Sequence, residues 1–257
     1  MQPSICSVLI DIDGVLQVGG HPVAGAIDAL ELLRQAGLGV RFLTNTTRRT
    51  RMKLVEGLRG LGFELDASEV LTAALAARHR VESAGLRPHL LVHADLLPDW
   101  EGVETCSPNA VVVGDAGEGF HYAAMNEAFR VLMADDASPL LAMGGNRYFH
   151  DGEALSLDMG PFVAALAFAS GREAEHTGKP APAFFHSALA QLGTDAASAL
   201  MIGDDLDNDI GGAAAVGLRT VLVRTGKFRP ADADHPHIRP DHISADFTAA
   251  VRWLLDG

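Results

Sequence analysis

Two hydrophobic rhythms alternate along the chain. Val8, Leu9 and Ile10 form an unbroken apolar run that ends in Asp11 and Asp13, the pattern of a strand buried on both faces. Apolar residues then recur at helical spacing at Val23, Ala26, Ile27, Leu30 and Leu33. Pro22 stands where a first helical turn accepts it, and Gly37 where a helix stops. Residues 40–43 read as the next strand, running into Thr44-Asn45-Thr46-Thr47. A second helix places Met52, Val55, Leu58 and Leu61 on one face and closes at Gly62, and Val70-Leu71-Thr72 leads into an Ala-rich helix that reaches about residue 84. Alternating strands and helices of this kind build a parallel sheet with helices on its faces.

From Gly85 the pattern loosens. Strands are expected at 90–93 and 110–113, separated by a loop with Pro98, Trp100 and Pro108. A helix at 121–132, a strand at 140–143 and a mostly helical stretch at 155–170 follow. The last third returns to the first rhythm. A helix at 182–192 turns Phe184, Phe185, Ala188 and Leu189 inward, and a strand at 199–202 ends in Gly203-Asp204-Asp205. A short helix at 210–216, a strand at 220–223 and a terminal helix at 246–255 complete the chain. The expected fold is α/β, a Rossmann-like doubly wound parallel sheet made of residues 1–85 and 175–257, with residues 86–174 inserted as a separate α/β domain.

Charge narrows the partners. The 257 residues carry a formal net charge of −13, which argues against nucleic acid and anionic membrane surfaces. No apolar run approaches the ~20 residues of a membrane span, and no basic-then-apolar leader precedes the first strand. With only Cys6 and Cys106, a disulfide framework is not expected, and both read as small packing residues. These features together suggest a cytoplasmic protein. His235, His237 and His242 lie in a Pro-rich stretch expected to be loop, a poor frame for a metal site.

The candidate chemistry sits at strand ends. Side chains two apart on an extended chain point the same way, so Asp11 and Asp13 can converge, and Gly14 permits a sharp turn after them. Two carboxylates held close need a cation or a proton between them. In an open parallel sheet the carboxyl ends of the strands line one crevice, where Thr44, Asn45, Lys179 and Asp204 can join the pair. That set suits phosphoryl transfer to an aspartate. Asp11 would attack phosphorus, and Asp13 would act as acid and then base. Mg²⁺ would be held by Asp11, Asp204 and the backbone carbonyl of Asp13. Lys179, the Thr44 hydroxyl and the Asn45 amide would bind the phosphoryl oxygens. Asp205 reads equally as a ligand or as a residue favouring the start of the next helix.

Asp11-Ile12-Asp13-Gly14-Val15, Leu43-Thr44-Asn45, Gly178-Lys179-Pro180 and Gly203-Asp204-Asp205 with Asp209-Ile210 together resemble the motifs of the haloacid dehalogenase-like hydrolase superfamily. The long insertion is similar to the C2-type cap of its phosphatase branch. Thr44-Asn45-Thr46-Thr47, Arg147-Tyr148-Phe149 and the run from Gly160 to Leu166 resemble the group of phospholysine, phosphohistidine and inorganic pyrophosphate phosphatases and their hydrolase-domain-containing paralogue. The resemblance implies Asp11 as nucleophile, Asp13 as acid/base, Thr44 and Lys179 as phosphate ligands, and Asp204 as metal ligand. Asp209 would then support the metal's waters or Lys179. Animal members of that group carry Ser at the position of Asp13, so the fuller pair here favours ordinary phosphomonoesterase chemistry.

An inserted cap that closes over the crevice would expel water and restrict the substrate to a small phosphorylated molecule. Asn146 and Arg147, after the strand at 140–143, are candidates for reaching that substrate. As in similar proteins, the cap is also a candidate homodimer interface. Two rivals share the same residues: a phosphotransferase or phosphomutase, and a phosphoaccepting receiver-like module without turnover.

Overall fold

A computed structural model describes residues 4–150 and 154–256. The chain separates into two compact units, one comprising Met1–Thr44, Leu54–Leu71 and Lys179–Gly257, the other Asn45–Lys53 and Thr72–Gly178.

The first stretch holds β1 (Ser7–Asp11), β2 (Gln17–Val18), β3 (His21–Pro22), α1 (Ala26–Gln35), β4 (Gly39–Thr44), α2 (Arg51–Gly60) and β5 (Val70–Thr72). Pro22 therefore belongs to a small antiparallel hairpin of β2 and β3 and not to a first helical turn. The hairpin is short and largely exposed, so no alternation marked it. Gly25, with φ of 72°, supplies the real entry to α1. Ile27 and Met52, expected on the inner faces of their helices, are 37% and 48% exposed. Ala29 and Leu54, two residues further along and on the opposite side of each helix, are buried instead.

The middle stretch holds α3 (Ala73–Ser83), β6 (Pro88–Leu91), β7 (Ala110–Val113), α4 (Tyr122–Ala134), β8 (Leu140–Ala142), β9 (Tyr148–His150), β10 (Leu155–Leu157), α5 (Met159–Ser170) and β11 (Ala174–His176). Side chains cap the helices in turn: Thr72 accepts the Leu75 N–H, His121 that of Ala124 and Asp158 that of Met159. α3 belongs to this unit because Ala73, Ala74, Ala77 and Val81 pack with Leu96, Trp100, Val112 and Leu141. A four-stranded parallel sheet runs in the order β11-β8-β7-β6. Its other face meets Ala128 and Leu132 of α4 and Val163 and Leu166 of α5.

The last stretch holds α6 (Pro182–Leu192), β12 (Ala199–Gly203), α7 (Gly212–Ala215), β13 (Arg219–Val223), β14 (His242–Ser244) and α8 (Phe247–Asp256). The four residues expected inward on α6 are its buried ones. His242 sits in a strand and stacks on Trp253 with ring centroids 4.3 Å apart, so that part of the expected loop is ordered sheet.

The six-stranded sheet of the first unit runs β14-β13-β12-β1-β4-β5. The pairs from β14 through β4 are parallel. One face carries Val8, Ile10, Val40, Phe42, Leu200 and Ile202 against α1 and α8. Arg41 alternates to the other face and reaches the carbonyl of Gln191 in α6. Helices on both faces make this the doubly wound sheet expected. From β1 the chain builds outward through β4 and β5, then returns to β12 on the opposite side, so the order reverses between β1 and β12. A reversal of that kind opens a crevice at the carboxyl ends.

Candidate active site

β1 ends in Asp11 and β12 ends one residue before Asp204, so the two flank the reversal point. Asp11 is 7% exposed, Asp204 1% and Asp209 is fully buried. Each offers a carboxylate oxygen, and the three oxygens lie within 4.8 Å of one another. Lys179, 3% exposed, stands among them: its Nζ lies 2.5 Å from Asp11 Oδ1 and 2.6 Å from Asp209 Oδ1. Two carboxylates ~4 Å apart repel by roughly 4 kcal/mol at an effective dielectric of 20. One ammonium against three carboxylates leaves that repulsion unbalanced.

The imbalance shows in the proton affinities. Burial pushes the Asp11 carboxyl well above its ordinary value, and the neighbouring charge of Asp209 adds to it. Burial and Asp209 likewise raise Asp204 to about 6. Burial works against the charge on Lys179, but Asp11 and Asp209 outweigh it and hold the ammonium firmly protonated.

Local backbone explains how Asp209 gets there. The chain after β12 makes a π-helical turn over Leu206–Gly211, in which the Ile210 N–H reaches the Asp205 carbonyl five residues back. This wide turn brings Asp209 against Gly203, where any Cβ would lie 2.3 Å from the Asp209 Cβ. Asp209 Oδ2 accepts the Asp205 N–H at 3.2 Å, so both Asp209 oxygens are engaged. Asp205 itself is outside the carboxylate group. Its Oδ1 accepts the Asn208 N–H, and its Oδ2 accepts from Asn208 Nδ2 and Lys227 Nζ. Burial opposes its charge, yet Lys227 and Asn208 prevail and hold its pKa below the ordinary value.

Asp13 is exposed, and its Oδ1 accepts from Gln17 Nε2 at 2.8 Å. Its carboxylate is not a member of the buried group; the contribution expected from it toward a metal is its backbone carbonyl. Thr44 ends β4 and is 2% exposed. Asn45 begins the second unit. Asn146 and Arg147 also lie in the second unit. The Asn146 side chain bonds the Asp158 carboxylate and its carbonyl accepts the Gly160 N–H, which ties down the start of α5. Arg147 is exposed.

Two family models match the chain: haloacid dehalogenase-like hydrolase over residues 8–99 and HAD-hydrolase-like over residues 176–250. The chain is 46% identical over 252 residues to a phospholysine phosphohistidine inorganic pyrophosphate phosphatase from Bos taurus, covering 96% of this chain and 93% of the relative. The chain belongs to the haloacid dehalogenase-like hydrolase family. It is a phosphatase of that family, which sets aside the receiver-like reading. A p-nitrophenyl phosphatase from Archaeoglobus fulgidus superposes with a TM-score of 0.89 at 27% identity, over 98% of this chain and all of that one. A glycerol phosphate phosphatase from Mycobacterium tuberculosis in complex with magnesium gives 0.84 at 30% identity, over 95% and 76%.

The donor set of this hydrolase fits a hard divalent cation: all its charged groups are carboxylates, and Asp204 Oδ1 is buried without a hydrogen-bond partner. Among the described residues, this is the one group of three acidic, His or Cys side chains close enough to hold an ion. Sequence reasoning missed Gly226 and Lys227, which also meet the hydrolase's acidic group at Asp204, and Thr225, whose hydroxyl donates to the Gly14 carbonyl. The Lys227 N–H donates to Asp204 Oδ2 at 2.7 Å. A Gly after a strand and a polar stretch gave no signal beyond that of an ordinary turn. Cys6 and Cys106 are exposed and unpaired, so neither is the small packing residue expected.

Proposed function

We propose that this phosphatase is Mg²⁺-dependent and works through an aspartyl-phosphate on Asp11, releasing phosphate from a small phosphorylated metabolite, pyrophosphate or a P–N bond. The observation that carries the reading is the Asp11 carboxylate, buried at the switch point of a parallel sheet and gripped through Oδ1 by the Lys179 ammonium. Asp209 supports Lys179 from behind with both its own oxygens engaged. That leaves Asp11, the free oxygen of Asp204 and the backbone carbonyl of Asp13 to hold the ion. When bound, such an ion neutralises charge on the phosphoryl oxygens.

Asp11 forms a bond to phosphorus as the bond to the leaving group breaks, and Asp13 gives that group its proton. Asp13, now a carboxylate, takes a proton from the water that attacks phosphorus. The bond to Asp11 then breaks and inorganic phosphate leaves. Asp13 lies exposed beside Gln17, on the solvent side where the attacking water would arrive. Lys179, Thr44 and the Asn45 amide stabilise charge on the transferring group. The second unit is the proposed cap, with Asn146 and Arg147 as its substrate-selecting residues and its surface as the homodimer contact. A cytoplasmic setting suits the exposed, unpaired cysteines, and among the described residues no helix is long and apolar enough to cross a membrane.

A panel of phosphorylated metabolites, pyrophosphate and phosphohistidine, assayed with Mg²⁺ and no added acceptor, tests the reading. Release of inorganic phosphate supports it, while turnover that requires an acceptor molecule would instead establish a phosphotransferase. Asp11→Asn should lower phosphate release from p-nitrophenyl phosphate by on the order of 10⁴-fold with the fold retained.

A further inference from the structure

Asp204 is clasped by a segment that lies outside every motif recognised in the sequence. Gly14 and Gly226 both have positive φ, 93° and 58°. A Cβ on either would fall 1.9 Å from Asp204 Oδ2, so this carboxylate oxygen sits sandwiched between two bare backbones. The Lys227 N–H holds the same oxygen at 2.7 Å. The Thr225 hydroxyl donates to the Gly14 carbonyl and ties the loop after β13 to the loop after β1. Oδ2 is thus held by one amide and packed between two glycines, while Oδ1 stays buried with no hydrogen-bond partner. A carboxylate pinned by one oxygen presents the other in a fixed direction. The Lys227 ammonium meanwhile pairs with Asp205 Oδ2 at 3.0 Å.

We infer that Thr225-Gly226-Lys227 is a positioning element for the cation site: its backbone pins Asp204 Oδ2 so that Oδ1 is presented, already desolvated, to a divalent ion. This rests on the Mg²⁺-dependent reading above. Partners that orient a metal's ligands are typically worth ~10–100-fold in metal affinity. The two glycines are needed for close approach and for φ > 0, and the pin is the amide of Lys227, not its side chain.

The test is calorimetric titration of Mg²⁺ into substrate-free protein, paired with melting temperatures measured in chelator. Gly226→Ala should weaken Mg²⁺ binding ~10–100-fold. Thr225→Val, which removes one hydroxyl and adds no bulk beside Asp204, should weaken it ~3–10-fold and keeps the test decisive if Gly226→Ala does not fold. Parent protein that binds no Mg²⁺ would refute the metal reading itself. A parent that binds, with folded Gly226→Ala or Thr225→Val binding equally well, would overturn the positioning role. So would a drop in metal-free melting temperature with unchanged affinity, which marks a purely structural contact.

Discussion

The two units are built alike and charged differently. Each has a parallel sheet with apolar strands and helices on both faces. In each, a strand ends beside an aspartate: Asp11 closes β1, and Asp115 follows β7 by two residues. Asp115 is nevertheless fully matched. Its Oδ2 takes Arg48 Nε at 2.5 Å and its Oδ1 the Gly117 N–H at 3.0 Å, while its own N–H donates to the Thr47 hydroxyl. Asp11 instead shares one lysine with Asp209 and lies beside Asp204. A strand-end aspartate is therefore no sign of catalysis by itself. The sign is a buried excess of negative charge that the chain's own residues do not neutralise.

Lys179→Met should break this contrast most sharply after loss of Asp11. It strips from the three carboxylates the ammonium that pairs with Asp11 and Asp209, so kcat should fall ~10²–10³-fold. Removing one partner of a buried pair should also cost about 3–5 kcal/mol in chelator, read by denaturant unfolding. Unchanged stability would mean that the carboxylates are not charged together.

Metal removal sharpens the contrast through pH. Asp11 and Asp204 hold protons more tightly folded than unfolded. Their contribution to metal-free stability is therefore full below the unfolded carboxylate range; that of Asp204 is lost as pH rises through about 6, and that of Asp11 as pH rises through its own raised value. On the proposed Mg²⁺-dependent reading, the ion would compete with those protons. Its stabilising effect should be small near pH ~5 and grow to a few degrees in melting temperature near pH ~7.5 at saturating ion. An equal effect at both pH values would contradict the shifted carboxylates. Asp115→Asn completes the series with the smallest effect. Weakening its charge-assisted bonds should cost about 1–3 kcal/mol of stability with Mg²⁺ affinity untouched, and a changed affinity would erase the distinction between the units.

What could be read in advance follows the same physics. Apolar runs at β1 and β12, Val40, Phe42 and Leu43 in β4 and the inward face of α6 announce buried elements, and the polar residues that follow the strands announce a crevice. The short strands β2, β3, β11 and β14 carry polar residues such as Gln17, Glu175 and His242, so no period of two stands out in two or three positions. Asp205 was undecided because adjacent carboxylates look equivalent in sequence. The π-turn separates them by giving Asp205 to Asn208 and Lys227. The Thr225-Gly226-Lys227 clasp was illegible because it works through the Lys227 amide, the side chain that Gly226 lacks and a single Thr225 hydroxyl.

The central claim is that phosphorus passes through Asp11. Acid-quenching the enzyme during turnover of p-nitrophenyl phosphate with Mg²⁺, followed by peptide mass spectrometry, tests it most directly. The account predicts one phosphoryl group on the peptide that contains Asp11, accumulating further in Asp13→Asn if hydrolysis of the intermediate slows more than its formation, and absent in Asp11→Asn. A phosphoryl group on any other residue, or full turnover by Asp11→Asn, would contradict it.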